Sequence, residues 1–249
     1  MLRKDKKHGL AVAVFALAVT SCATTPPEQP ALSVSPASVS TKPPLQQAAR
    51  KGWWFASFFL TWPEETEPAW SRDLLIAHRI AAPVLERYRD EIELWRFHRR
   101  AGRDQYGHRF SLYFYATPAT AAEVFSALGQ NPLLARLGTA KLIDRVEFDD
   151  TVNIPRPGVE AASDPNWSPA VARTWPYFIK GVSEMWLHLI DDIAAGENPP
   201  SDSATPEELE VYYQGINTRI TELWQQQGRH AMLHHLNALF GYQPLLMWF

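Results

Sequence analysis

A single cysteine, Cys22, occurs in the 249 residues. No disulfide can form within the chain, so a folded part has to stand on its apolar core. The usual marks of catalytic machinery are missing as well. There is no Gly-x-Ser-x-Gly elbow to activate a serine. There is no Walker loop and no Gly-x-Gly-x-x-Gly turn to cradle phosphates. Neighbouring acids occur at Asp149-Asp150 and Asp191-Asp192, but adjacent side chains diverge and make poor glycosidase pairs. An excess of basic charge is also absent, the formal net charge being −3. Residues 1–21 carry Arg3, Lys4, Lys6 and Lys7 against Asp5, a net of +3, so the remainder holds −6 (−3 minus +3). That balance argues against broad nucleic-acid binding and leaves room for a local basic patch.

What is there begins with a core. Hydrophobic residues make up 46% of the chain, enough to bury one. Ten Trp and 20 Pro are both high. Trp at that density means a large core or an exposed aromatic surface.

Met1 to His8 is basic, and Gly9 to Val19 is apolar but too short to span a bilayer comfortably. Val19-Thr20-Ser21-Cys22 then sets small residues ahead of the sole Cys. The layout is that of a secretory signal. An ordinary signal peptide would leave the position of that Cys unexplained. The four residues resemble the lipobox of bacterial lipoproteins, and the resemblance covers residues 1–22. It implies a signal peptide over 1–21, lipidation of Cys22 and a periplasm-facing protein held to a membrane by acyl chains such as palmitate. Residue 23 is Ala rather than Asp, which by similarity to enteric lipoproteins points to the outer membrane. Residues 22–50 then hold the lipidated Cys and a tether. This stretch is rich in Pro, Ser and Thr and too poor in large apolar residues to order itself.

Residues 51–150 alternate strand and helix signals. Trp53 to Trp62 reads as an inner strand, apolar on both faces. A helix is expected from about Arg72 with Ser71 as its cap, kinked or restarted at Pro83. A second strand runs from about Ile92 to Arg99 and a third from His108 to Ala116. Arg96 and His98 share one face of the second strand; Trp95, Phe97 and Arg99 share the other. Thr117 caps a helix opening at Pro118, Asn131-Pro132 breaks it, and Ile143 to Phe148 is a fourth strand. The expectation is an α+β fold, a ferredoxin-like βαββαβ antiparallel sheet. The basic, aromatic hairpin with its Gly107-His108-Arg109 step is also loosely similar in layout to the C-terminal domain of lanthipeptide dehydratases. That resemblance covers about 60 residues and bears on fold alone, because an exported, lipid-anchored chain is the wrong setting for that chemistry.

Residues 151–249 read as helical and as an extension packed on the sheet in the same folding unit. Thr151 to Pro169 is an irregular connection, long enough to mark a functional loop. Val171 to Ala195 carries a wide apolar stripe and is expected largely buried. Thr205-Pro206-Glu207-Glu208 opens a helix that Gly228 should stop, and His230 to Gly241 is the last helix. The apolar tail beyond it either packs on the domain or serves as a partner-binding peptide.

Two clusters could carry chemistry. The hairpin groups Arg96, His98, Arg100, Arg103, His108 and Arg109, with Tyr113 nearby. Such a cluster suits a small carboxylate or phosphate ligand through bidentate, charge-assisted bonds. Alternatively it is a solvated turn, paired with Glu91, Glu93 and Asp104. On the last helix, His230 and His234 stand four apart as a zinc pair would. Position 231 is Ala where a metalloprotease motif needs Glu, and His188, Asp191 or Asp192 would have to supply a third ligand. Nothing implies a cofactor. The expected function is a non-catalytic, lipid-anchored envelope protein that binds a protein or envelope component. The alternative is a receptor or enzyme for a small anionic ligand at the hairpin.

Overall fold

The computed structural model describes residues 50–243. The signal peptide, Cys22, all of the tether but its last residue, and the tail residues 244–249 lie outside the described residues. Among the described residues, four strands form one antiparallel sheet in the order β2-β3-β1-β4. They are β1 Gly52–Leu60, β2 Leu94–Ala101, β3 His108–Ala116 and β4 Ile143–Phe148. Both β1 and β2 run antiparallel to the β3 between them. The architecture is α+β, with helices packed on the sheet.

Side-chain alternation sets the two faces. Trp54, Ala56 and Phe58 on β1 lie opposite Phe114, Leu112 and Phe110 on β3. All six are fully buried and form the centre of the core. The helix α1, residues 70–87, covers this face. It is α-helical over Trp70–Ile76, makes a π turn over Ala77–Ala81, and returns to α form over Ala82–Arg87. Pro83 explains the turn. Its ring has no N–H to return to the carbonyl four residues back, and just ahead of it Ala82 N–H reaches back to the carbonyl of Ala77. The helix therefore continues through Pro83 with a locally wider register. Ser71 is not its cap. The helix starts one residue earlier, at Trp70, and backbone carbonyls of Pro68 and Ala69 take its first free N–H groups.

Two shorter helices follow, the first as expected and the second starting at the expected break. α2, Pro118–Gly129, is capped by Thr117, and α3, Pro132–Thr139, by Asn131. Phe125 of α2 packs edge-on against Phe114 and stacks on Phe148. The long connection after β4 is tied to the sheet. Trp53 N–H donates to the Arg156 carbonyl at 2.8 Å, Trp53 Nε1 to Val159 at 2.8 Å, and the Tyr115 hydroxyl to Pro157 at 3.0 Å. Its role in the described structure is to cover Trp53, Leu94 and Tyr115 at one end of the second sheet face.

Two long helices complete the chain. α4, Pro169–Gly196, is capped by Ser168 and runs on through Pro176. It crosses the free edge of β2: Trp175 lies over Arg96 on one face of the sheet, and Trp186 packs on Phe97 on the other. α5 spans residues 206–239 and opens with a complete capping box between Thr205 and Glu208. Its first part, Pro206–Leu223, lies on α1, where Leu209, Tyr213 and Ile216 join the main core. Gly228 does not stop it. The helix passes through Trp224–His234 in π form and resumes as His235–Leu239. Gly228 is buried beneath Trp224, and a Cβ there would meet Trp224 Cε3 at 2.6 Å. This glycine makes room for an indole rather than ending a helix. No helix among the described residues is long and apolar enough to cross a membrane.

Candidate functional site

The basic hairpin divides between the two faces of the sheet. Register places Arg96 opposite Tyr113, His98 opposite Ser111, and Arg100 opposite Arg109. These six side chains share the face away from the main core. Phe55, Ser57 and Phe59 of β1 continue it. Ser57 and Ser111 are buried and joined hydroxyl to hydroxyl at 2.9 Å. Around them guanidinium groups lie over aromatic rings: Arg96 over Tyr113 at 4.1 Å, Arg145 over Phe59 at 3.6 Å, and Arg109 over Phe59 at 5.7 Å.

Two of the expected cations on this side are already occupied. Arg100 makes two bonds to Asp104, at 3.0 and 2.6 Å, and this pairing draws the Asp104 carboxyl down to about 2. Arg103 donates to the carbonyls of Trp62, Pro63 and Thr66 and stacks on Trp62, fastening the loop before α1. The expectation that Glu91 and Glu93 pair with the hairpin fails among the described residues, where Glu93 bonds Lys51.

His108 does not belong with these groups. Strand alternation turns it to the core face, where it is 1% exposed. Its Nε2 lies 3.0 Å from Asp73 Oδ1, and Arg99 Nε donates to Asp73 Oδ2 at 2.8 Å. Asp73 is fully buried on α1. Both of its carboxyl oxygens are met by side-chain nitrogens, as a buried polar group requires. The cluster ties α1 to β2 and β3.

Arg96, His98 and Arg109 remain. Arg96 is sandwiched between Tyr113 and Trp175, and its buried Nε has no hydrogen-bond partner among the described residues. Burial lowers its pKa, opposed by Tyr113, yet a guanidinium stays charged in any ordinary solvent. Arg109 has no carboxylate within ion-pair distance among the described residues. His98 is exposed, and its pKa is lowered first by partial burial, then by Arg96, Arg109 and Arg100.

Beyond the β2 edge lies a groove of about 1280 Å³ between α4 and α5. Phe178, Val182, Met185 and Trp186 line one wall; Ile220, Trp224, Leu233 and Leu236 line the other. Arg96, His98 and Arg99 stand where it meets the sheet, and among the described residues no carboxylate lines it. Tyr113 and Arg109 are not among its walls. The wide stripe of α4 is thus not largely buried as expected. Phe178 is 47% exposed and Met185 37%, with Trp224 at 51% across from them. The later part of the stripe, at Ile190, Ile193 and Ala194, enters or packs on the main core, and Trp186 packs on Phe97. Phe178, Val182 and Met185 face the groove.

A polar chain holds the two helices to α1. Tyr213 Oη lies 2.7 Å from His78 Nδ1, and His78 Nε2 lies 3.1 Å from Asp191 Oδ1. Burial lowers the His78 pKa and raises that of Tyr213. Tyr213 has no exposed surface, and the chain it begins joins α1, α4 and α5. Asp191 is thereby committed away from His230 and His234. Those two rings do stack, 5.2 Å apart, with His235 at 5.4 Å. No cluster of three or more His, Cys, Asp or Glu able to hold a metal ion occurs among the described residues. No known family model, curated protein or solved structure matches the chain.

Proposed function

We propose that the protein is a non-catalytic binding module of the bacterial envelope, lipidated at Cys22 and facing the periplasm from the outer membrane. In this reading its groove receives an amphipathic helix of a protein partner. The observation that carries it is the apolar groove between α4 and α5. Nothing among the described residues covers it, and a monomer seldom leaves so continuous an apolar surface open without a use for it. The walls from Trp175 to Leu189 extend about 21 Å at 1.5 Å per residue, the length of roughly four helical turns. Helix-in-groove recognition takes that form, with apolar anchors every three or four residues. The charges at the sheet end are cationic and no acid among the described residues lines the walls, which favours a helix with acidic residues at that end.

The sheet we read as ferredoxin-like. The order β2-β3-β1-β4, with helical segments between β1 and β2 and between β3 and β4, supports that reading. The lipobox resemblance supports the anchor, and the composition of residues 23–50 supports a tether of roughly 30 Å that lets the domain search for its partner.

A photo-crosslinking amino acid at Val182, in the full chain in intact envelopes, tests the groove. A discrete protein adduct is expected there, absent when the same probe replaces exposed Glu123 and lost in Trp224→Ala. Adducts equal at both positions, or none at Val182, would overturn the reading.

A further inference from the structure

The open sheet face beside the groove has a chemistry of its own. Side chains two apart on a strand stand roughly 7 Å from one another on one face. The register therefore sets Arg96 on one side of His98, with Arg100 and Arg109 on the other. The acids nearby are engaged: Asp104 with Arg100, Glu147 with Arg145, and Asp149 with Arg156. Among the described residues, Arg96 and Arg109 are left as cations without a counter-anion. The Arg96 guanidinium is clamped between two rings, so its orientation is set before any ligand arrives.

We propose that this face binds a phosphate group over His98, held by the guanidinium groups of Arg96 and Arg109. A phosphate dianion answers the arrangement better than a carboxylate. It offers oxygens in several directions to cations on opposite sides, and its second charge balances the second arginine. Arg100 adds field without a bond, because Asp104 holds both of its outer nitrogens. The phosphate has two sources with the same chemistry, a soluble phosphomonoester or a lipid headgroup. The second gains from geometry, because Arg96 and His98 also line the groove, where an acyl chain would lie. The site does not depend on the groove having a protein partner.

The test follows the His98 ring by NMR in the full chain, at fixed ionic strength, with inorganic phosphate added in place of chloride. A saturable rise in the His98 pKa is expected, since a bound anion favours imidazolium. Arg96→Gln and Arg109→Gln should each weaken the apparent affinity about tenfold or more, as expected for a charged hydrogen bond. A shift that never saturates, or that persists unchanged in both variants, would overturn the proposal. Glycerol 3-phosphate and dispersed lysophosphatidic acid are then compared by the same readout. Tighter saturation by the first assigns a soluble ligand, and by the second a lipid headgroup. Saturation by neither would count against the site as surely as a failure with phosphate.

Discussion

Ser183 of α4 accepts the N–H of Phe97 on β2 at 3.1 Å and donates its own proton to the Ile179 carbonyl at 2.8 Å. One hydroxyl thus covers a donor on the free edge of the sheet. Exposed edges invite pairing with other chains, and a helix laid across one removes the invitation. Ser183→Ala would leave the buried Phe97 N–H unpaired at a cost of about 1–3 kcal/mol. The urea midpoint should fall accordingly, and Phe97 amide exchange should quicken more than that of Trp54. Equal exchange at Phe97 in both proteins would show that the bond does not protect the edge.

Asp73 is the most exacting position in the core. Two side chains from two strands meet its carboxylate, and neither has another carboxylate to turn to among the described residues. Removing one partner from a buried charge cluster typically costs about 3–5 kcal/mol. Asp73→Ala should therefore cost that much in a denaturation experiment. Asp73→Asn should cost less, because it keeps the shape and an acceptor oxygen. A double cycle of Asp73→Ala with His108→Ala should show coupling well outside additivity.

Much of this was legible in the chain. Alternation in Trp53 to Trp62 and in His108 to Ala116 gave the strand faces. The Thr-Pro and Thr-Pro-Glu-Glu steps gave two helix starts that the structure keeps, and Asn131-Pro132, read as a break, both ends one helix and caps the next. The same alternation places His108 with Phe110 and Leu112, so the signal that it belongs to the core was present and outweighed by its neighbour Arg109. Asp73 could not be found that way, because its partners are 26 and 35 residues distant. Pro83 was read as a kink or restart and Gly228 as a stop, because both weaken an isolated helix. Here packing decides: α1 keeps its apolar face by widening one turn, and Gly228 keeps Trp224 on the groove wall. The groove itself depends on how α4 and α5 diverge, which no local pattern encodes.

The capping box of α5 offers a local test of how far this helix depends on its start. Thr205 accepts the N–H of Glu208 at 3.2 Å, and the Glu208 carboxylate accepts the N–H of Thr205 at 2.8 Å. Thr205→Ala should lower stability by about 1 kcal/mol. The loss should show in amide exchange of Leu209 and Tyr213 before it shows in β1. A uniform loss over the whole domain would instead mean that α5 unfolds only with the sheet.

His78 gives the domain a pH dependence with a definite sign. Its folded pKa lies below the ordinary 6.5, because burial outweighs the pull of Asp191. Between the folded value and 6.5 the unfolded chain binds a proton that the native chain refuses. Stability from this group is therefore complete above 6.5 and is lost as pH falls through the folded value. A neutral ring can accept the Tyr213 hydroxyl at Nδ1, 2.7 Å away, whereas an imidazolium has only a donor to offer there. Urea midpoints taken from pH 7.5 to 5 should decline in the wild type. His98 is lowered too and contributes to that decline, so the informative quantity is the difference from His78→Gln. This variant cannot titrate there and should decline less steeply. Parallel curves for the two proteins would mean that the join between α1, α4 and α5 does not rest on a neutral His78.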